Sequence, residues 1–106
     1  MLIRNLSDFV KSFDSAPYAW PGGYPTYYVT ADGEALSYDA VVDNIEEVIF
    51  AIVNPEYGDE WNVIGLDINY EDHDLYCAHT HKRIESAYGS AEEEFKPINF
   101  EENIYF

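Results

Sequence analysis

The chain has 106 residues, 47% apolar and 17% aromatic, and its 21 Asp and Glu against five Lys and Arg give a formal charge of −16. That length holds one domain with one modest core, and so many aromatics exclude a wholly disordered acidic chain. The charge excludes direct binding to DNA, RNA or anionic lipid, each of which would repel it.

Like charge at this density opposes compaction, so stability gives no reason to keep it. It serves solubility or a saline host, or it meets a basic partner. A lone cysteine, Cys77, leaves no intramolecular disulfide and fits a reducing compartment. Arg4, Asn5, Ser7 and Asp8 interrupt any signal-like apolar run near the start, and the apolar run 48–53 is too short to span a bilayer. These features predict a cytoplasmic protein with no membrane segment.

In chain order, Ser7 reads as the N-cap of a short helix to about Asp14, with Phe9, Val10 and Phe13 as its apolar stripe. Residues 16–25 form an aromatic loop punctuated by Pro17, Pro21, Gly22, Gly23 and Pro25. Residues 27–30 read as a strand, and Asp32-Gly33 as a two-residue turn into a return strand at 34–36. The principal helix is expected over 38–53, capped by Ser37, with Val41, Ile45, Val48, Ile49 and Ile52 on the core face. Asn54-Pro55 ends it, since a residue before proline is pushed out of helical geometry. The long strand is expected over 61–70, with Ile64, Leu66, Ile68 and Tyr70 on one face and Val63, Asp67 and Asn69 on the other. A second hairpin follows, residues 75–77 returning at 83–85 around His79 and Thr80. The expected architecture is α+β: a small, mostly antiparallel sheet of two hairpins, one principal helix and a short N-terminal helix. Residues 1–89 would form the single domain and residues 90–106 an acidic, aromatic C-terminal arm.

Charge is uneven along the chain. Residues 34–74 contain twelve acids and no Lys or Arg. On the principal helix Asp39, Asp43, Glu46 and Glu47 lie opposite the core stripe, where residues four apart are separated by roughly 6 Å along the axis. Asp67 and Glu71 would share a strand face at roughly 6.6–6.8 Å if the strand continues, and Asp72 and Asp74 follow in the turn. Both spacings are close to the separation of neighbouring phosphates, so such a scaffold suits a protein groove built for nucleic acid. Phe50 projects amid these acids, where an aromatic serves as an interface anchor or packs under the C-terminal arm.

Cys77, His79 and His81, with His73 upstream, form a ligand-rich segment, but a structural zinc site needs four ligands and no second Cys or His cluster exists. Cys77 therefore reads as a buried small residue, with no metal and no cofactor expected. Nothing resembles a nucleophile turn, and Gly22-Gly23 lacks the Lys and following helix of a phosphate loop, so no enzyme activity is expected.

Three segments, residues 18–36 (YAWPGGYPTYYVTADGEAL), 61–72 (WNVIGLDINYED) and 75–89 (LYCAHTHKRIESAYG), resemble a family of small acidic proteins of phages and other mobile elements of bacteria. The resemblance spans roughly residues 17–89. It implies a zinc-ribbon-like pair of CxxC turns, matched here by Ser37 and Ala40, then Cys77 and Thr80, so three of four ligand positions have lost their thiol. It also implies a setting, the cytoplasm of a bacterial host, in which small acidic proteins inhibit nucleic-acid-targeting defences such as CRISPR and restriction systems. The expected function is binding to a basic nucleic-acid-binding host protein through Asp39, Asp43, Glu46, Glu47, Phe50, Asp67, Glu71, Asp72 and Asp74. The alternative is a degenerate zinc-ribbon-like adaptor that binds through Tyr18, Trp20, Tyr24 and the aromatic tail.

Overall fold

A computed structural model describes residues 1–20 and 22–88; the expected C-terminal arm lies outside the described residues. The fold is α+β. Its centre is strand β2, Tyr24–Thr30, paired antiparallel with every other strand of the sheet. β1 (Tyr18–Ala19) pairs with its start, β3 (Ala35–Leu36) with its end, and β4 (Val63–Ile68) along residues 26–30. The β1–β2 ribbon arises inside the segment expected to be an aromatic loop.

The hairpin from β2 to β3 forms where the Asp32-Gly33 signal places it, but its loop has three residues. Thr30 N–H donates to the Glu34 carbonyl at 3.0 Å, and Gly33 N–H donates to the Thr30 carbonyl at 2.9 Å. Gly33 adopts φ +85°, the left-handed conformation that follows a type I turn in three-residue hairpins. The second hairpin is reduced to one bridge, Tyr76 with Arg83, outside the sheet.

Helix α1 runs Leu6–Ser12, and its cap is Asn5 rather than Ser7: the extended Asn5 accepts the Asp8 N–H at 2.9 Å on its side-chain oxygen. Phe9 and Ser12 face inward, whereas Val10, expected in the apolar stripe, is exposed. The expected principal helix begins at its Ser37 cap but is two helices, α2 (Tyr38–Asp43) and α3 (Ile45–Val53). Asn44 causes the break. Its side-chain amide donates to the Ala40 carbonyl at 2.9 Å, the competition with helical pairing that makes Asn a poor interior residue. Val41 and Val48 reach the core, while Ile49 is left exposed.

β4 corrects a second expectation. Its buried residues are Val63 and Leu66, expected on opposite faces, and Ile64, expected on the face of Leu66, is exposed. Thr30 pairs with Val63 but Val29 pairs with Gly65, so Ile64 is an extra residue in the ladder and the faces exchange there. The strand stops at Ile68, so Asp67 and Glu71 do not form a strand ladder. Asn69, expected between them on an open face, is buried. Its amide donates to the Asp72 and Glu85 carbonyls at 2.9 and 3.1 Å and its oxygen accepts Asp72 N–H at 3.1 Å. Tyr70, expected on the same face as Leu66, lies past the end of the strand and is exposed.

The core joins Phe9, Tyr28, Leu36, Val41, Val48, Val63, Leu66, Cys77 and Ile84. At its centre Tyr28 is fully buried and its ring lies 5.9 Å from that of Phe9. Ser12 uses its one hydroxyl proton on the Phe9 carbonyl at 2.6 Å, so the Tyr28 hydroxyl donates to Ser12 Oγ, also at 2.6 Å. Tyr28→Phe should lower unfolding stability by about 1 kcal/mol. Phe9→Ala should cost about 3–5 kcal/mol. Denaturant melts of the two variants, read by circular dichroism, check both the order and the size.

Candidate partner-binding surface

Among the described residues the acids stay outside the core, and all but one stay unpaired. Among the described residues every Asp and Glu is exposed except Asp8. Asp8 is also the carboxylate of the single salt bridge among them, with Arg4 at 3.4 Å, and bonding to Arg4 lowers its pKa. Among the described residues the other carboxylates form no ion pair, a surface with affinity left over for an external cation.

The nine residues predicted to act together fall into three groups. Glu46, Glu47 and Phe50 share the outer face of α3, just past Asp43 at the end of α2. Asp39 stands at the start of α2 in a separate hollow with Tyr18, Arg83 and Glu85. Asp67 and Asp72 lie near the Tyr27 phenol, which burial and then these two charges hold above its ordinary pKa. Glu71 and Asp74 occupy the following turn, where the Asp72 carboxylate accepts Asp74 N–H at 3.0 Å.

The α3 group is built further by residues the sequence reading passed over. Asn54 ends the helix, its N–H donating to the Phe50 carbonyl at 2.8 Å, and Pro55–Tyr57 form one 3₁₀ turn. Gly58 then adopts φ 153° and ψ 158°, a conformation essentially confined to glycine. The helix stop at Asn54 and the 3₁₀ turn bring Tyr57 against Phe50, ring centroids 5.8 Å apart and tilted by 36°, and Gly58 redirects the chain that follows, which carries Glu60 and Trp61. Both rings remain open, Phe50 at 55% exposure and Tyr57 at 72%. Between them and Trp61 runs a groove of about 400 Å³, rimmed by Glu46, Glu47 and Glu60. Trp61 is held from behind by His79, edge-on at 5.0 Å. Phe50 is thus a ridge, with a second apolar hollow of Ile49 and Val53 on its other side. The sequence carried one signal for this groove, a phenylalanine on a charged helix face; its other walls depend on the turn at residues 54–57 and on Gly58.

The positions that the resemblance matches to metal ligands do meet. Ser37 and Thr80 donate backbone N–H to Cys77 Sγ at 3.4 and 3.5 Å, and Ser37 Oγ accepts Ala40 N–H at 3.2 Å. Cys77 is buried while His79 and His81 are exposed. Among the described residues no three His, Cys, Asp or Glu side chains converge as metal ligands. Nor, among them, is any helix long and apolar enough to cross a membrane. Compared with protein-family models, curated proteins and solved structures, the chain matches none.

Burial opposes ionisation of Cys77, but hydrogen bonds from Thr80 and Ser37 outweigh it and lower the thiol from 9.0 to about 7. A folded-state pKa below the unfolded value stabilises the fold where the thiol is ionised in both states. That contribution should be complete above pH 9 and lost as pH falls through about 7. The stability difference between the native chain and Cys77→Ala should therefore widen in favour of the native chain from pH 7 to 9; a flat difference would mean the thiol stays neutral.

Proposed function

We propose that the protein is a stoichiometric inhibitor of phage or mobile-element type. It binds a basic, nucleic-acid-handling effector of its bacterial host, a CRISPR complex or restriction enzyme, and occupies the surface that receives phosphates. The observation that carries this reading is the group of exposed carboxylates at the end of α2 and the start of α3, Asp43, Glu46 and Glu47, with Asp39 apart at the start of α2, none in an ion pair among the described residues. The host setting follows from the resemblance of residues 17–89, and the charge of −16 supplies long-range steering toward a basic groove. Inhibition by occupancy requires no catalytic group and no cofactor.

Such binding weakens with salt, because at about 0.15 M the screening length is only ~8 Å. The first test is capture of partners from a bacterial lysate, washed at low and then high salt and competed with nucleic acid. A nucleic-acid-handling complex released by both supports the proposal; a partner with no nucleic-acid site overturns it. Asp43→Lys with Glu47→Lys should weaken binding to the captured effector by about tenfold, chiefly by slowing association, with the circular dichroism spectrum unchanged. Unchanged affinity in this double variant counts against mimicry.

A second reading, an adaptor that binds through aromatics, is favoured by Trp20, which is 77% exposed at the end of β1 beside Tyr18. It predicts a complex that survives high salt and is lost in Trp20→Ala.

A further inference from the structure

We infer that the groove between Phe50, Tyr57 and Trp61 is a guanidinium site, which receives an arginine side chain from a basic segment of the partner. The inference deepens the inhibitor reading and rests on it for the partner being basic; the groove's selectivity is argued separately.

Three aromatic side chains and three carboxylates line one groove of about 400 Å³, at the small end of the roughly 300–1,000 Å³ typical of ligand pockets. Aromatic faces carry partial negative charge and attract cations laid over them. Phe50 and Tyr57 both line the groove with their rings largely open, 5.8 Å apart and tilted by 36°, so a flat group that enters meets aromatic surface. Glu46 and Glu47 stand one helical turn before Phe50, and Glu60, next to Trp61 in the chain, also lines the groove. A group that lies on the rings therefore meets carboxylates at its edges.

Charge complementarity selects the occupant. A wholly apolar segment would strip water from Glu46, Glu47 and Glu60 without replacing it, an uncompensated cost. An anion is repelled. Residues 90–106 carry five acids and one lysine, so the chain's own terminus brings like charge to the rim. Between the two basic side chains, arginine fits better than lysine. Its guanidinium is planar, weakly hydrated, stacks on aromatic faces and presents several N–H donors in its plane to carboxylates, whereas an ammonium holds its water more tightly.

The test uses the full chain and three capped heptapeptides, GRGRGRG, GKGKGKG and GSGSGSG, titrated by calorimetry and by amide and indole NMR. The arginine peptide should shift Phe50, Tyr57, Gly58 and the Trp61 indole most, bind more tightly than the lysine peptide, and leave the serine peptide without effect. Phe50→Ala and Tyr57→Ala should each weaken the arginine peptide by about two- to fivefold, the range for exposed cation–π contacts, and narrow its advantage over lysine. Phe50→Leu, which keeps an apolar side chain but no ring, should do the same without disturbing the fold. Equal affinity for the arginine and lysine peptides, insensitivity to all three substitutions, or shifts centred on Asp67 and Asp72 would overturn the site. Arginine selectivity without capture of any nucleic-acid-handling effector leaves the site standing and sinks the inhibitor reading. Capture of such an effector with unchanged affinity in Phe50→Leu does the reverse.

Discussion

The buried hydroxyl of Tyr28 constrains where everything else can lie. It sits on the central strand at zero exposure, and such a group must find a partner or cost the fold its desolvation energy. The partner is Ser12, on the last turn of α1, already committed to the Phe9 carbonyl. One short chain of hydrogen bonds thereby fixes α1 over β2, brings Phe9 against the Tyr28 ring, and leaves α3 to pack beside α1 through Val48. At the opposite end of the sheet Asn69 performs a similar task, tying the end of β4 to the backbone at 84–85. Two buried polar residues, each satisfied, specify the arrangement that apolar packing alone would leave looser.

The fold tolerates its acidity by keeping carboxylates out of the interior. Among the described residues the buried polar side chains are Ser, Thr and Asn, uncharged groups that need no counter-charge; Ser12, Thr30 and Asn69 are hydrogen-bonded, while the Thr26 and Ser86 hydroxyls have no partner. Self-repulsion then acts across water, where it is screened, rather than across the core. The consequence for binding is direct: among the described residues no internal ion pair has to be displaced before a basic partner meets Glu46, Glu47 or Glu60.

The candidate groove is made by interruptions of regular structure. The helix breaks at Asn44, Asn54-Pro55 stops α3, the 3₁₀ turn returns Tyr57 to Phe50, and Gly58 redirects the chain toward Glu60 and Trp61. A continuous helix would have carried a longer row of acids. The broken one concentrates Glu46 and Glu47 in the first turn of α3, where the helix dipole favours negative charge, and places an aromatic platform directly behind them.

Much of this was legible in the residues. The α+β architecture, the β2–β3 hairpin, the Ser37 cap, the stop at Asn54-Pro55 and the solvent-facing acids all follow from rules that operate within about four residues along the chain. The phase of β4 does not: Ile64 is expelled from the core because Thr30 pairs with Val63 and Val29 with Gly65, a register set by another strand. The α2–α3 break depends on an Asn side chain choosing a carbonyl over water. Phe50 could be singled out from its helical position, but Tyr57 joins it only through the turn at residues 54–57, and Glu60 and Trp61 only after the chain is redirected at Gly58. The sequence by itself determined the charge, the local elements and one anchor of the groove. The tertiary structure decided which face each strand residue takes and which side chains stand together, because those outcomes depend on contacts between residues far apart in the chain.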